Sequence, residues 1–167
     1  MFCKEMGAAQ RTPRGTVEVE RRVKVVAMGA STGGPAALQC ILSGLPRDFP
    51  VPILVVQHIA PGFLDGLVTW LSDLSGFPIH IATAYQSAMP GHVYFAPDGA
   101  HLGITRHGVL TLSREPSEHL VRPSVSYLFR SVAASFPSRS VGVLLTGMGR
   151  DGADELKLMK ERGAYTI

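Results

Sequence analysis

The segment VVAMGASTGGP, Val25 to Pro35, joins a run of apolar residues to a glycine-rich turn and then to a proline. Together with the preceding Arg-Val-Lys it reads as a short, nearly all-apolar strand, the pattern of a strand covered on both faces in a parallel sheet. Pro35 suits the first turn of a helix, where its missing N–H leaves nothing unpaired. Leu38, Ile41, Leu42 and Leu45 then recur at the spacing of one helix face. The alternation repeats: PILVVQ (52–57) is a second apolar run, followed by a helical pattern holding Phe63, Leu67, Trp70, Leu71 and Leu74. Strand, helix, strand, helix in this order predicts an α/β fold with parallel strands.

The middle of the chain changes character. HVYFAPDGAHLGITRHGVLTLSRE (92–115) breaks into short runs at Pro-Asp-Gly and His-Gly, both hairpin signals, and predicts an antiparallel flap or edge. After Pro123, the residues Val125, Leu128, Phe129, Val132, Ala133 and Phe136 fall at helical spacing. SVGVLL (140–145) reads as another buried strand, TGMGRDGA (146–153) as its loop, and DELKLMKERG (154–163) as a helix closing on Gly163. AYTI (164–167) reads as a strand that stops at the chain end.

With 167 residues, 46% of them hydrophobic and 17% charged, the chain has the makings of one globular domain. Residues 1–22 lack hydrophobic periodicity and read as a linker or disordered tail, leaving 23–167 as the folded domain. No apolar run approaches the roughly 20 residues of a membrane span, and the start lacks the apolar stretch of a signal peptide. A cytoplasmic protein without membrane insertion is therefore expected. Cys3 and Cys40 form neither a disulfide framework nor a metal spacing, and Cys40 reads as a small core residue. The net charge of +3 is uneven: through Lys24 there are six basic residues against three acids, and beyond it ten of each. An electroneutral body without a basic stripe argues against a nucleic-acid partner.

Three apolar strands end in polar or glycine-rich loops, GASTGGP, QHIAPG and TGMGRDG, and in open parallel sheets reacting groups gather outside the carboxyl ends of the strands. These loops carry Ser31, His58 and Asp151. A serine hydroxyl needs an imidazole to take its proton, and the imidazole needs a carboxylate to orient it and stabilise its charged form. GASTG also satisfies G-x-S-x-G, a tight strand-to-helix turn that projects the hydroxyl. The order Ser, His, Asp differs from that of the α/β-hydrolases. In this reading the glycines clear space around Ser31 for a substrate side chain.

The same loops admit other readings. Gly147, Gly149 and Gly152 match G-x-G-x-x-G between a strand and a helix, which would make the chain a nucleotide-binding module. Against this, Asp151 sets a negative charge where a pyrophosphate would lie, and GASTGG lacks the lysine of a phosphate-binding loop. Ser31 and Asp151 could each simply cap a helix, and a noncatalytic scaffold also fits. His80, His92, His101, His107 and His119 have no zinc-binding spacing and read as surface or hydrogen-bonded structural residues. Asp98 has a turn explanation, and Asp154 and Glu155 suit a helix N-terminus. On spacing alone the alternatives stay open.

Taken in order, GASTGGP, VVQHIAPGF, PGHVYFAPDGAHL, RPSVSYLFRSVA and GVLLTGMGRDGA resemble the catalytic domain of the CheB family of chemotaxis protein-glutamate methylesterases, from about Val23 to the chain end. The resemblance implies a doubly wound, mainly parallel α/β sheet with helices on both faces and an antiparallel hairpin. It makes Ser31 the nucleophile, His58 the general base and then acid, and Asp151 the orienting carboxylate. Thr32 and Met148 are the implied oxyanion donors, and no metal or cofactor is required. The implied substrate is a glutamyl γ-methyl ester on the cytoplasmic helices of a methyl-accepting chemoreceptor, and many members also deamidate glutamines. A receiver domain commonly precedes this domain and regulates it. The family continues past GAYTI, implying a C-terminally truncated sheet. The chain departs from the family pattern at Ser126, where an acid is usual, and in the spacing of His119 from Arg122; both departures bear on substrate contacts.

Overall fold

Strand β1 (Val25–Ala30) is buried along its whole length, because each of its faces and edges is covered. The computed structural model describes residues 22–146 and 149–167. After β1 come α1 (Gly34–Gly44), β2 (Ile53–Gln57), α2 (Leu64–Ser75), β3 (Ile79–Ile81) and β4 (Val93–Phe95). These are followed by β5 (His101–Ile104), β6 (Leu110–Ser113), α3 (Val125–Ser135), β7 (Ser140–Leu144), α4 (Ala153–Glu161) and β8 (Tyr165–Thr166). The main sheet runs β3-β4-β2-β1-β7-β8, and each neighbouring pair is parallel. Val26 lies opposite Ile53 on one side and Val141 on the other.

Alternate residues of the central strands serve two cores, as the period of a strand requires. Val26, Met28, Ile53 and Val55 pack with Leu38 and Leu42 of α1 and Leu64, Leu67 and Leu71 of α2. Val25, Ala27, Leu54 and Val56 pack with Leu128, Phe129 and Val132 of α3, with Met159 of α4, and with Leu102 and Leu110 of the hairpin. Each fully buried Val, Leu, Ile, Phe or Met side chain among these contributes about 1.5–3 kcal/mol of transfer free energy. The doubly wound sheet with helices on both faces is thus the observed fold.

Some expectations change. Only the His-Gly turn folds a hairpin: β5 and β6 are the antiparallel strand pair, with Gly108 at φ 77° in the connecting turn. The Pro97-Asp98-Gly99 turn instead carries the chain out of the main sheet, since β4 pairs in parallel with both β2 and β3. The hairpin then lies on α3, where Ser131 Oγ accepts the Ile104 N–H at 2.8 Å and Ser135 Oγ donates to the Ile104 carbonyl at 2.7 Å. Cys40 is exposed on α1 rather than in the core. Trp70 and Leu74 stand off the buried stripe of α2, which runs through Leu64, Leu67, Leu71 and Ser75. The expected tail falls mostly on residues 1–21, outside the described residues; Arg22 is exposed, and Val23 packs against the core at its edge.

Gly29 and Gly152 are both required by one neighbour. A Cβ on either would run into the side chain of Val125, the first residue of α3, and on Gly29 also into Leu144. Gly29→Ala should therefore destabilise the fold by about 1–3 kcal/mol through overpacking. Gly44→Ala, at a helical position with nothing within 4 Å of a new Cβ, should be neutral or stabilising by up to about 1 kcal/mol. Urea midpoints check this; equal losses in the two variants would reject close packing as the cause.

Candidate active site

Because β2, β1 and β7 are adjacent and parallel, the loops after them open at one edge of the sheet. The chain leaves β1 toward β2 on one side and returns to β7 on the other, so these loops diverge and leave a crevice, the switch point of an open α/β sheet. Ser31, His58 and Asp151 all line the resulting cleft of about 220 Å3. A larger hollow of about 790 Å3 opens at the amino ends of the same strands, among Lys24, Pro52, Arg106 and Arg139. No serine, threonine, cysteine or carboxylate lines it.

Ser31 is held by its backbone. Its N–H donates to the Thr146 carbonyl at 2.8 Å, and its carbonyl accepts from Gly34 N–H and from Gln57 Nε2, each at 2.8 Å. Gln57 also donates to the His58 carbonyl at 2.9 Å, so one buried amide ties the Ser31 loop to the His58 loop. Gly33 lies in the left-handed region at φ 78°, and a Cβ on Gly34 would collide with the Gln57 amide and with Ala30. At two of the three glycines of this loop the clearance is used by the protein itself, since Gly29 admits Val125 and Gly34 admits Gln57, while a Cβ on Gly33 would meet only Thr146 Oγ1 at 4.0 Å. Ser31 does not cap α1, whose N-cap is Gly33 without a side-chain bond.

His58 follows β2 and donates its backbone N–H to Ala30 O at 2.9 Å. Its Nε2 is 2.9 Å from Asp151 Oδ2, with the imidazole 22% exposed and the carboxylate 8%. Asp151 receives three further donors. Ser124 Oγ and Ser126 N–H reach Oδ1 at 2.8 and 2.9 Å, and Val125 N–H reaches Oδ2 at 2.7 Å. Burial alone would raise this carboxyl group's pKa. The hydrogen bonds from His58, Ser126, Val125 and Ser124 outweigh burial and hold it well below the usual carboxylate range. Asp151 is thus ionised and acceptor-only, which places the His58 proton on Nε2 and leaves Nδ1 as the basic nitrogen.

Asp151 does meet a helix N-terminus, though not that of the adjacent helix. α4 begins at Gly152 without a side-chain cap, whereas the carboxylate sits on the first N–H groups of α3, where the helix dipole favours an anion. Ser126, the departure expected to bear on substrate contacts, is fully buried, and its Oγ accepts the Gly152 N–H at 2.8 Å. It pins the Asp151 loop to α3 from beneath. His119 is exposed in a turn with φ 50°, beside Leu120 at φ 67°.

Of the implied oxyanion donors, Thr32 is exposed and its N–H makes no hydrogen bond among the described residues. Met148 and Gly147 lie outside the described residues. Nothing supports the nucleotide-binding alternative: Gly152 is buried against Val125, and Asp151 lines the crevice with a carboxylate. Among the described residues no cluster of His, Cys, Asp or Glu is arranged for a metal ion, and no helix is long and apolar enough to cross a membrane. Asp98 Oδ2 accepts the Gly62 N–H at 2.9 Å, joining the loop after β4 to the one after β2. Gln57 and Ser124 went unread as site residues. The signal for Ser124 was present in Arg-Pro-Ser-Val, a helix-capping pattern, and its Oγ does accept from Tyr127 N–H at 3.3 Å.

Comparison with known proteins agrees with this fold. The family model described as CheB methylesterase matches residues 26–167. A protein-glutamate methylesterase/protein-glutamine glutaminase of Nitrosospira multiformis is 54% identical over 144 residues, covering 86% of this chain and 41% of the relative. One from Geobacter metallireducens is 55% identical over 150 residues, covering 89% and 43%. The chain thus spans less than half the length of these curated relatives. The crystal structure of the Thermotoga maritima CheB methylesterase catalytic domain superposes with a TM-score of 0.82 at 37% identity, covering 87% of this chain and 78% of that one. A family match over most of the chain, carried on the same fold, makes this protein a member of the CheB methylesterase family.

Proposed function

We propose that this chain is a serine hydrolase that removes the methyl group from glutamyl γ-methyl esters on the cytoplasmic helices of methyl-accepting chemoreceptors. The observation that carries the reading is the charge-assisted mount of His58: an ionised Asp151 bonded to Nε2 at 2.9 Å, in the cleft that Ser31 also lines. The names of the relatives supply the substrate class.

Ser31 Oγ attacks the γ-carbonyl carbon while His58 Nδ1 takes its proton. The imidazolium so formed carries N–H on both nitrogens and is stabilised by the Asp151 carboxylate. The N–H groups of Thr32 and Met148 receive the developing oxyanion; Ser31 N–H is committed to Thr146 O. As the tetrahedral intermediate collapses, the proton passes from Nδ1 to the departing oxygen and methanol leaves. Water, activated by the same nitrogen, then cleaves the Ser31 acyl ester to release glutamate and restore the hydroxyl. A glutamine side chain follows the same course with ammonia as the leaving group. The reaction is cytoplasmic, and a receiver domain is its regulatory partner.

Ser31→Ala should lower methanol release from a methylated receptor by at least about 10^3-fold while leaving the fold intact. Turnover close to wild type would reject Ser31 as nucleophile. Asp151→Asn should reduce kcat by about 10^4-fold by removing the charge that fixes the Nε2–H form of His58. Its effect on stability depends on pH. Because folding depresses the Asp151 pKa, its contribution is complete above the unfolded carboxyl value of about 3.9 and fades as pH falls through the folded value. The stability gap between wild type and Asp151→Asn should therefore be about 2 kcal/mol at neutral pH and narrow below about pH 4. A gap of constant size in urea titrations across that range would rule out the ionised, hydrogen-bonded carboxylate.

A further inference from the structure

His101 opens β5 and is completely buried, away from the cleft that Ser31 and His58 line. Its Nδ1 lies 3.1 Å from the backbone N of Ser124, and its Nε2 lies 3.2 Å from the Pro116 carbonyl oxygen. A backbone N–H can only donate and a carbonyl can only accept, so these two partners settle the tautomer: the proton is on Nε2 and Nδ1 is bare. The ring is further fixed by stacking on Tyr127, with centroids 4.8 Å apart and planes 15° from parallel. The imidazole is a rigid strut between the segment after β6 and the start of α3.

What the strut holds is Ser124. This residue is the N-cap of α3, and its N–H precedes the helix, where no intrahelical acceptor exists. Three donors to Asp151 emerge from this one point of the backbone: Ser124 Oγ, Val125 N–H and Ser126 N–H. A shift of the Ser124 backbone would move all three, and the carboxylate that orients His58 with them. We propose that His101 is a positioning residue for hydrolysis, a buried neutral imidazole that sets the register of the α3 N-terminus and thereby the height and direction of the Asp151 carboxylate. It acts through Ser124 and touches no reacting atom. The inference rests on the esterase reading for its effect on turnover, though not for its effect on the His58–Asp151 bond.

Two substitutions of similar size separate this role from simple core packing. In His101→Asn the amide oxygen takes the place of Nδ1 and keeps an acceptor for Ser124 N–H while giving up Pro116. In His101→Gln the longer amide reaches the place of Nε2, keeping a donor for Pro116 while giving up Ser124. Melting curves establish that each folds. The Gln variant should lose about 10^2-fold in kcat at unchanged KM, the cost of a small misplacement transmitted to the reacting groups, and the Asn variant should keep most of its turnover. A substrate-free readout is the downfield proton NMR signal of His58 Nε2–H, which should persist in Asn and broaden or vanish in Gln. Equal losses in both variants, or an unchanged signal in Gln, would overturn the proposal. Nitrogen-15 shifts of histidine-labelled wild type provide a test needing no variant: His101 must show a bare Nδ1 and a protonated Nε2, and the opposite tautomer excludes the strut. If wild type releases no methanol while the signal behaves as stated, the esterase reading fails and the positioning role stands.

Discussion

A buried carboxylate is costly unless hydrogen bonds replace the water it gives up, and the site depends on how this is done at Asp151. Four donors converge on its two oxygens: one from the β2 loop through His58, and three from the start of α3. Bonds to a charged group are worth about 1.5–3 kcal/mol each, enough to outweigh desolvation. They are also directional. The residue that keeps the charge inside the protein is thereby the residue that locks the imidazole, and stability and orientation share one set of contacts.

That arrangement requires α3 to approach the sheet closely at its N-terminus. Gly29 on β1 and Gly152 before α4 both face Val125, so the helix start settles where side chains would otherwise stand. Ser126 then bonds to Gly152 N–H from below, and Gln57 links the Ser31 and His58 loops from the opposite side. On the outer side of α3, Arg130 pairs with Glu118 and with Glu155 of α4, connecting the loop before the helix to the helix that follows Asp151. Half-exposed pairs of this kind add little stability individually. Their value lies in restraining two segments that must keep their spacing.

Much of the cleft is therefore held in place by buried groups, Gln57, Ser124 and Ser126 among them. Two glycines around Ser31 illustrate this: Gly29 and Gly34 read as room for a ligand, whereas their room is filled by Val125 and Gln57. Among the described residues, Ser31, His58, Thr146 and Gly149 line the cleft from partly or fully exposed positions.

The sequence by itself determined the strands and helices that carry long apolar runs, since their burial is written in local periodicity. It also placed Ser31, His58 and Asp151 at one edge of the sheet, because loops after parallel strands have only one edge on which to meet, while their roles stayed open on spacing alone. The direction of β4 was not legible: Pro97-Asp98-Gly99 has the same local chemistry whether the chain turns back along its strand or leaves the sheet, and only pairing with β2 and β3 decides. Nor was the exposure of Cys40, Trp70 and Leu74, since a helix with apolar residues on several sides does not say which side faces the sheet. The mount of Asp151 was least legible of all. Ser124, Ser126 and His101 lie 25 to 50 positions away along the chain, and serines and histidines acquire their partners only when folding brings a lone pair and an N–H to within about 3 Å. Local preference decides which elements form, but a hydrogen bond between distant segments exists only as a distance, and distance is set by the tertiary structure.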